Sequence, residues 1–100
     1  MSGPSLSITI TQKADADEIA IYNYITETFG IIYADNFRKR LIELFKLMVK
    51  QPFIGRPAKG NSNIRVLMMS RHNKIVYRII DPEIVVLRIL NTKKRMSGGF

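Results

Sequence analysis

The side chains of this sequence best equipped for chemistry are cations. Arg65, Arg71, Lys74, Arg78 and Arg88 fall in the strand-like second half, and Lys93, Lys94 and Arg95 follow it directly. Such groups bind anions, either a carboxylate surface or the phosphates of a nucleic acid, where they offset charge developing at a phosphoryl centre. A proton-transfer partner for them is hard to find. The single histidine, His72, has no Asp or Glu close in sequence to orient its ring, so it reads as an exposed turn residue, with anion contact beside Arg71 as its functional alternative. No Gly-rich loop opens a helix, and no Asp/Glu/His set has metal-ligand spacing. The acids gather in the first helix rather than in a catalytic pair. With no cysteine there is neither a thiolate nucleophile nor a disulfide framework. No cofactor and no metal are implied, and a reducing cytoplasm is the expected location.

Charge is unevenly spread. Residues 1–30 hold four acids and one base, whereas residues 36–100 hold fifteen bases and three acids, giving the chain a net charge of +8. That asymmetry attracts a polyanion, nucleic acid or acidic protein, and speeds encounter with either. The plain alternative is a solvated surface that keeps the protein in solution. A hydrophobic fraction of 46% in 100 residues fits one small folded domain. No apolar run approaches the roughly 20 residues needed to span a bilayer, and Met1–Leu6 lacks the pattern of an export signal. Residues 1–5 read as a disordered N-terminal segment or an expression remnant. Residues 6–100 read as a single domain with a basic tail from 91.

The elements that must position the cations follow from periodicity. Leu6, Ile8 and Ile10 alternate with polar residues, as in a strand with one buried face. Thr11 is placed to cap a helix whose early acids, Asp15, Asp17 and Glu18, suit the positive end of its dipole and are expected to face water. Its apolar stripe is Ile21, Tyr22, Ile25 and Phe29, and Gly30 closes it. Tyr22 and Tyr24 are expected to pack at the seam between helix and sheet or at its edge. After a short Gly30–Tyr33 connection, Ala34, Phe37, Leu41, Leu44 and Met48 step by three and four along a second helix that stops at Gln51-Pro52. The stretch 53–63, rich in Gly, Pro, Asn and Ser, reads as a loop carrying Arg56 and Lys59. Strand-like runs cover 64–69, 74–80 and 84–90, with turns at 71–73 and 81–83.

The expected fold is therefore α+β, in the order β-α-α-β-β-β, with an antiparallel helix hairpin packed on a small, mostly antiparallel four-stranded sheet. Ile75, Tyr77 and Ile79 would share one face of their strand, which favours a core position for Tyr77 with its hydroxyl at the sheet margin. If the 81–83 turn pairs Ile80 with Ile84, Val76 lies opposite Arg88, and Lys74, Arg78 and Arg88 stand on one face. Three unpaired cations cannot all be buried. That face is expected to be open to solvent or to an anionic partner.

The stretch IRVLMMSRHNKIVYRIIDPEIVVLRILNTKKR (64–95), together with IYNYI (21–25) and QPFIGRP (51–57), resembles the RelE/ParE superfamily of type II toxins, more its ParE-like branch. The likeness runs from about Ile8 to Arg95. It implies the toxin half of a toxin–antitoxin pair, bound by a cognate, partly acidic antitoxin that wraps the helices and adds to the sheet; the element pattern agrees in that the helix hairpin could leave a groove for an amphipathic segment and the first or second strand could offer an edge for strand addition. It also implies operator DNA bound only through that antitoxin, and DNA gyrase as the target. Lys74, Arg78, Arg88, Lys93, Lys94 and Arg95 would then contact the target. The RelE-like branch cuts mRNA on the ribosome, and its cationic positions fall here on Arg65, Leu67, Lys74 and Lys94, with the terminal aromatic at Phe100. Leu67 carries no charge, Phe100 has no hydroxyl, and Asn91, where a histidine closes the last strand of many relatives, cannot titrate. An endonuclease would thus have to work with Arg65, Arg71 and Lys74 alone. A degenerate, non-toxic antitoxin-binding module is the third reading.

Overall fold

The computed structural model describes residues 6–92; residues 1–5, the run Lys93, Lys94 and Arg95, and Phe100 lie outside them. The chain forms β1 (Ser7–Ile10), α1 (Gln12–Phe29), α2 (Ile31–Lys50), β2 (Arg56–Ala58), β3 (Asn61–Met68), β4 (Asn73–Ile80) and β5 (Glu83–Asn91). The α+β order is as the periodicity predicts, but the sheet has five strands, not four, in the order β1-β5-β4-β3-β2. The added strand, β2, lies inside the expected loop. It pairs antiparallel with β3, Ala58 opposite Asn61, and Gly60 takes a φ of 85° in the tight turn between them, a value disfavoured for any residue with a Cβ. Consequently the strand expected second in the chain is an interior strand along Asn61–Val66, and the sheet edges are β1 and β2.

Both helices are built as their sequences dictate. Thr11 has extended backbone and its Oγ1 accepts from the Ala14 N–H at 3.1 Å, capping α1, while donating to the Leu87 carbonyl at 3.0 Å. Gly30, at φ 104°, alone makes the connection: its N–H reaches the Ile25 and Thr26 carbonyls, and α2 starts at the next residue. The connection is thus tighter than Gly30–Tyr33, and Ile31, Ile32 and Tyr33 form the first turn of α2. Ala34, Phe37, Leu41, Leu44 and Met48 are all buried. Phe37, Leu41, Leu44 and Met48 meet Ile75, Tyr77, Ile84, Val86 and Ile89 from the sheet in the main core. No helix among the described residues is long and apolar enough to cross a membrane.

The far face of the sheet differs from expectation. Its centre is a second apolar cluster of Ala58, Ile64, Val76 and Leu90, with Val66 and Leu87 against it, so the cations stand around buried apolar ground rather than on an open polar face. The turn register also differs. Ile80 pairs with Glu83 and Ile79 with Ile84; a bulge then inserts Leu87, so Val76 still lies opposite Arg88. β1 runs parallel to β5 and covers only its Glu83–Val86 half.

Candidate functional site

Alternation along β4 sends Lys74 and Arg78 to the far face, away from the helices. Arg78 lies between Ile64 and Val85, is exposed, and has no ion-pair partner among the described residues. Lys74 is half-buried between Met68 and Leu90. Arg56 of β2, opposite Val66, is exposed on the same side. Arg71 is exposed in the turn before β4, where its carbonyl accepts from Thr92 Oγ1 at 2.7 Å.

Arg88 has a different setting. Its Nε lies 2.7 Å and its second guanidinium nitrogen 3.0 Å from the two carboxylate oxygens of Asp17, which also accepts the Ile89 N–H at 3.0 Å. The cause is topological. β1 ends at Ile10, so the remaining edge of β5 would be bare, and α1, entering from Thr11, lays Asp17 against it. The carboxylate serves as an edge acceptor and a counter-ion together, and its hydrogen bond holds the guanidinium proton above the ordinary arginine range. Asp17 therefore does not simply face water, and neither does Glu18.

Glu18 forms two hydrogen bonds with Arg38 of α2, at 2.6 and 3.2 Å. The same guanidinium stacks 3.7 Å above the Tyr22 ring, and the Tyr22 hydroxyl donates to Asp35 at 2.7 Å. That bond to Asp35, with some desolvation, raises the phenol's pKa. Tyr22 thus fastens α1 to α2 rather than packing at the helix–sheet seam, and Tyr24 is exposed.

Arg65 and Tyr77, cross-strand partners, secure the turn after α2. The Tyr77 hydroxyl accepts from the Gly55 N–H at 2.9 Å and donates to the Pro52 carbonyl at 2.8 Å; the side chain is fully buried, as the strand pattern predicted, and burial raises its pKa. Arg65 donates to the Gly55 carbonyl at 2.6 Å and to that of Phe53 at 3.4 Å, and covers the Phe53 ring. A Cβ on Gly55 would lie 2.7 Å from the Tyr77 hydroxyl, which explains the glycine of the Gly55-Arg56-Pro57 run.

The remaining nuclease positions are placed as follows. Leu67 packs against the main core. His72 is exposed in its turn, and its backbone N–H, not its ring, bonds Ser70 Oγ. Asn91 is the last residue of β5, opposite Asn73.

Sequence reasoning expected a groove at the helix hairpin but placed Phe29 in the buried stripe of α1 and did not single out the exposed residues at the hairpin's end. Phe29, Ile31, Ile32 and Tyr33 are between 53% and 70% exposed around Gly30. The signal was available: Ile31 and Ile32 sit off the stripe that begins at Ala34.

Over residues 8–96 the chain matches the family described as ParE toxin of type II toxin–antitoxin system, parDE. Among solved structures it is similar to a chain of the chromosomal ParDE system from P. aeruginosa, with 28% identity and a TM-score of 0.76 over 89% of this chain and 98% of that one. The YoeB/ParE toxin from Agrobacterium tumefaciens shares the fold at 16% identity and a TM-score of 0.65, covering 86% and 98% of the two chains. The YoeB dimer from Staphylococcus aureus does so at 19% and 0.58, covering 85% and 94%. No curated protein matches.

Proposed function

Because the chain belongs to the ParE toxin family of type II toxin–antitoxin systems, we propose that it is neutralised by a cognate antitoxin and, when free, poisons DNA gyrase without cutting RNA. The observation that carries the second half is the state of the nuclease positions. In-line cleavage of RNA needs cations free to meet the phosphate and a group to move a proton. Arg65 is spent on the Gly55 and Phe53 carbonyls, and Leu67 is an uncharged side chain packed against the main core. His72 forms none of the ion pairs among the described residues.

The target-binding surface in this reading is the far face with Lys74 and Arg78, and the run Lys93, Lys94 and Arg95, outside the described residues, is proposed to contact the target as well. Arg88, on the same face opposite Val76, is held by Asp17 and in this reading does not contact the target. Gyrase and the antitoxin would then meet a surface whose cations ring an apolar centre, suited to an acidic, amphipathic protein segment.

Pulse labelling of DNA and protein synthesis just after induction of the chain without antitoxin tests this. DNA synthesis stopping first is the expected result. Protein synthesis stopping first transfers the assignment to a ribosome-dependent endonuclease, and unimpaired growth to a non-toxic binding module.

A further inference from the structure

One end of the sheet runs out as a two-stranded ribbon. β3 pairs with β4 only from Ile64, opposite Arg78, to Met68, opposite Lys74, so Asn61–Asn63 continue past that neighbour and meet only β2, with Ala58 opposite Asn61. The β2–β3 register shifts between Pro57 and Ala58, an irregularity of the kind that adds twist to a strand pair. Lys59, Gly60, Asn61, Ser62 and Asn63 are all exposed, and the Asn63 N–H donates to Asn61 Oδ1 at 3.1 Å, which shapes the tip.

The charge of this ribbon is of one sign. From Leu44 to Ile80 the sequence carries eight bases and no acid. Arg56, opposite Val66, stands on the far face; Arg65, opposite Tyr77, stands on the helix face; Lys59 is at the tip. None of the three forms an ion pair among the described residues. Arg65 is bonded to carbonyls, so it adds positive potential without being a free contact. The acids at this end of the sheet, Asp81 and Glu83, belong to the turn between β4 and β5, about two strand spacings or roughly 10 Å away. Glu83 is also bonded by the Thr9 hydroxyl of β1, toward the opposite edge.

The shape and side chains of the ribbon select among polyanions. An acidic protein segment would dock on an apolar anchor or add to an open strand edge. The tip has no large apolar residue, and β2 is three residues long with Pro57, which has no N–H to offer, at its centre. What remains is cations with amide and hydroxyl side chains on two strands. The major groove of B-form DNA, about 12 Å wide, admits a two-stranded ribbon and sets phosphates on both sides of it. The deep, narrow major groove of A-form RNA does not.

We propose that the β2–β3 hairpin, residues 56–63, binds duplex DNA directly, with Arg56 and Lys59 on backbone phosphates and the polar side chains of 61–63 in the groove. This departs from the expectation that DNA is met only through the antitoxin. It does not rest on the gyrase assignment, because the contact is with DNA alone.

Titration of the intact ¹⁵N-labelled chain with a short mixed-sequence DNA duplex, an RNA duplex of the same sequence and poly-L-glutamate tests it. DNA should shift the amides of 56–63 at the lowest concentration of the three. Arg56→Gln with Lys59→Gln should weaken DNA binding at least about tenfold at low salt and make the dependence of log K on log salt shallower by about 2, one unit for each phosphate contact. Lys13→Gln with Lys39→Gln removes the same charge from exposed sites on the helices and should change either quantity far less. All four positions are exposed, so unchanged urea midpoints are expected and confirm the fold. Equal losses in the two double variants reduce the binding to bulk charge and overturn the proposal. Equal or tighter engagement of 56–63 by the RNA duplex overturns it too, as does the same result with poly-L-glutamate, which assigns the ribbon to an acidic protein. No shift of 56–63 with DNA likewise overturns it.

Discussion

Removing the Asp17 carboxylate should cost far more than removing an ordinary surface acid. Its ion pair with Arg88 is two-pronged, at 2.7 and 3.0 Å, but the side chains are 28% and 17% exposed for Arg88 and Asp17, so screening keeps the pair near the upper end of the exposed range, about 1 kcal/mol. The Ile89 N–H loses a charged acceptor at 3.0 Å, and partial hydration of the strand edge holds that loss to about another 1 kcal/mol. Asp17→Ala should therefore lower stability by about 2 kcal/mol, or Tm by roughly 8–15 °C in a domain of this size. Arg88→Gln removes only the pair and should cost about 1 kcal/mol. In urea titrations at constant m, the double-mutant cycle should return a coupling of about 1 kcal/mol. A loss under about 0.5 kcal/mol for Asp17→Ala, or a coupling near zero, would refute the edge-acceptor account of this contact. The same geometry sets a functional contrast. Arg78→Glu, at an exposed site, should leave the fold intact and abolish toxicity, whereas Arg88→Glu should lose both together.

Gly55→Ala forces a methyl to 2.7–2.8 Å from the buried Tyr77 ring and hydroxyl; overpacking and a displaced hydrogen bond should cost about 2–4 kcal/mol, read as a fall in the urea midpoint. Thr11→Ala should cost about 1–2 kcal/mol, with Thr11→Ser retaining most of it, because the hydroxyl serves both the α1 cap and the Leu87 carbonyl. Alkaline titration probes Tyr77: its pKa is raised in the folded state, so below about pH 10 both states are protonated and nothing changes. Above that the unfolded phenol ionises first, and stability falls until the folded value is passed. Tyr22 adds a decline of the same sign, so the decisive quantity is the difference from Tyr77→Phe, whose slope above pH 10 should be shallower.

How far the sequence carried can be traced through particular residues. The stripe of α2 was legible because its three-and-four spacing is unbroken from Ala34 to Met48 and every member is buried. Thr11 and Gly30 announced the ends of α1 through cap chemistry that is local in sequence. β2 was not legible: three residues, one a proline, pair with β3 next to a turn held by Tyr77 and Arg65 from elsewhere in the sheet. Nor was the bulge at Leu87, since Ile84–Leu90 is almost continuously apolar and alternation has nothing to register against. Among candidate site residues, Arg78 stands where alternation put it. Arg88 and Arg65 do not act as free cations because their partners, Asp17 and the 53–55 backbone, lie 71 and 10–12 residues away. Sequence spacing could suggest charge on those strands but not its neutralisation.

The central claim meets its most direct test in supercoiling by purified DNA gyrase with increasing amounts of this chain, alongside its Arg78→Glu variant. Inhibition by the unaltered chain and its loss in the folded variant is the predicted result. Full supercoiling at large molar excess, with mRNA cleaved in a parallel translating-ribosome reaction, would contradict it.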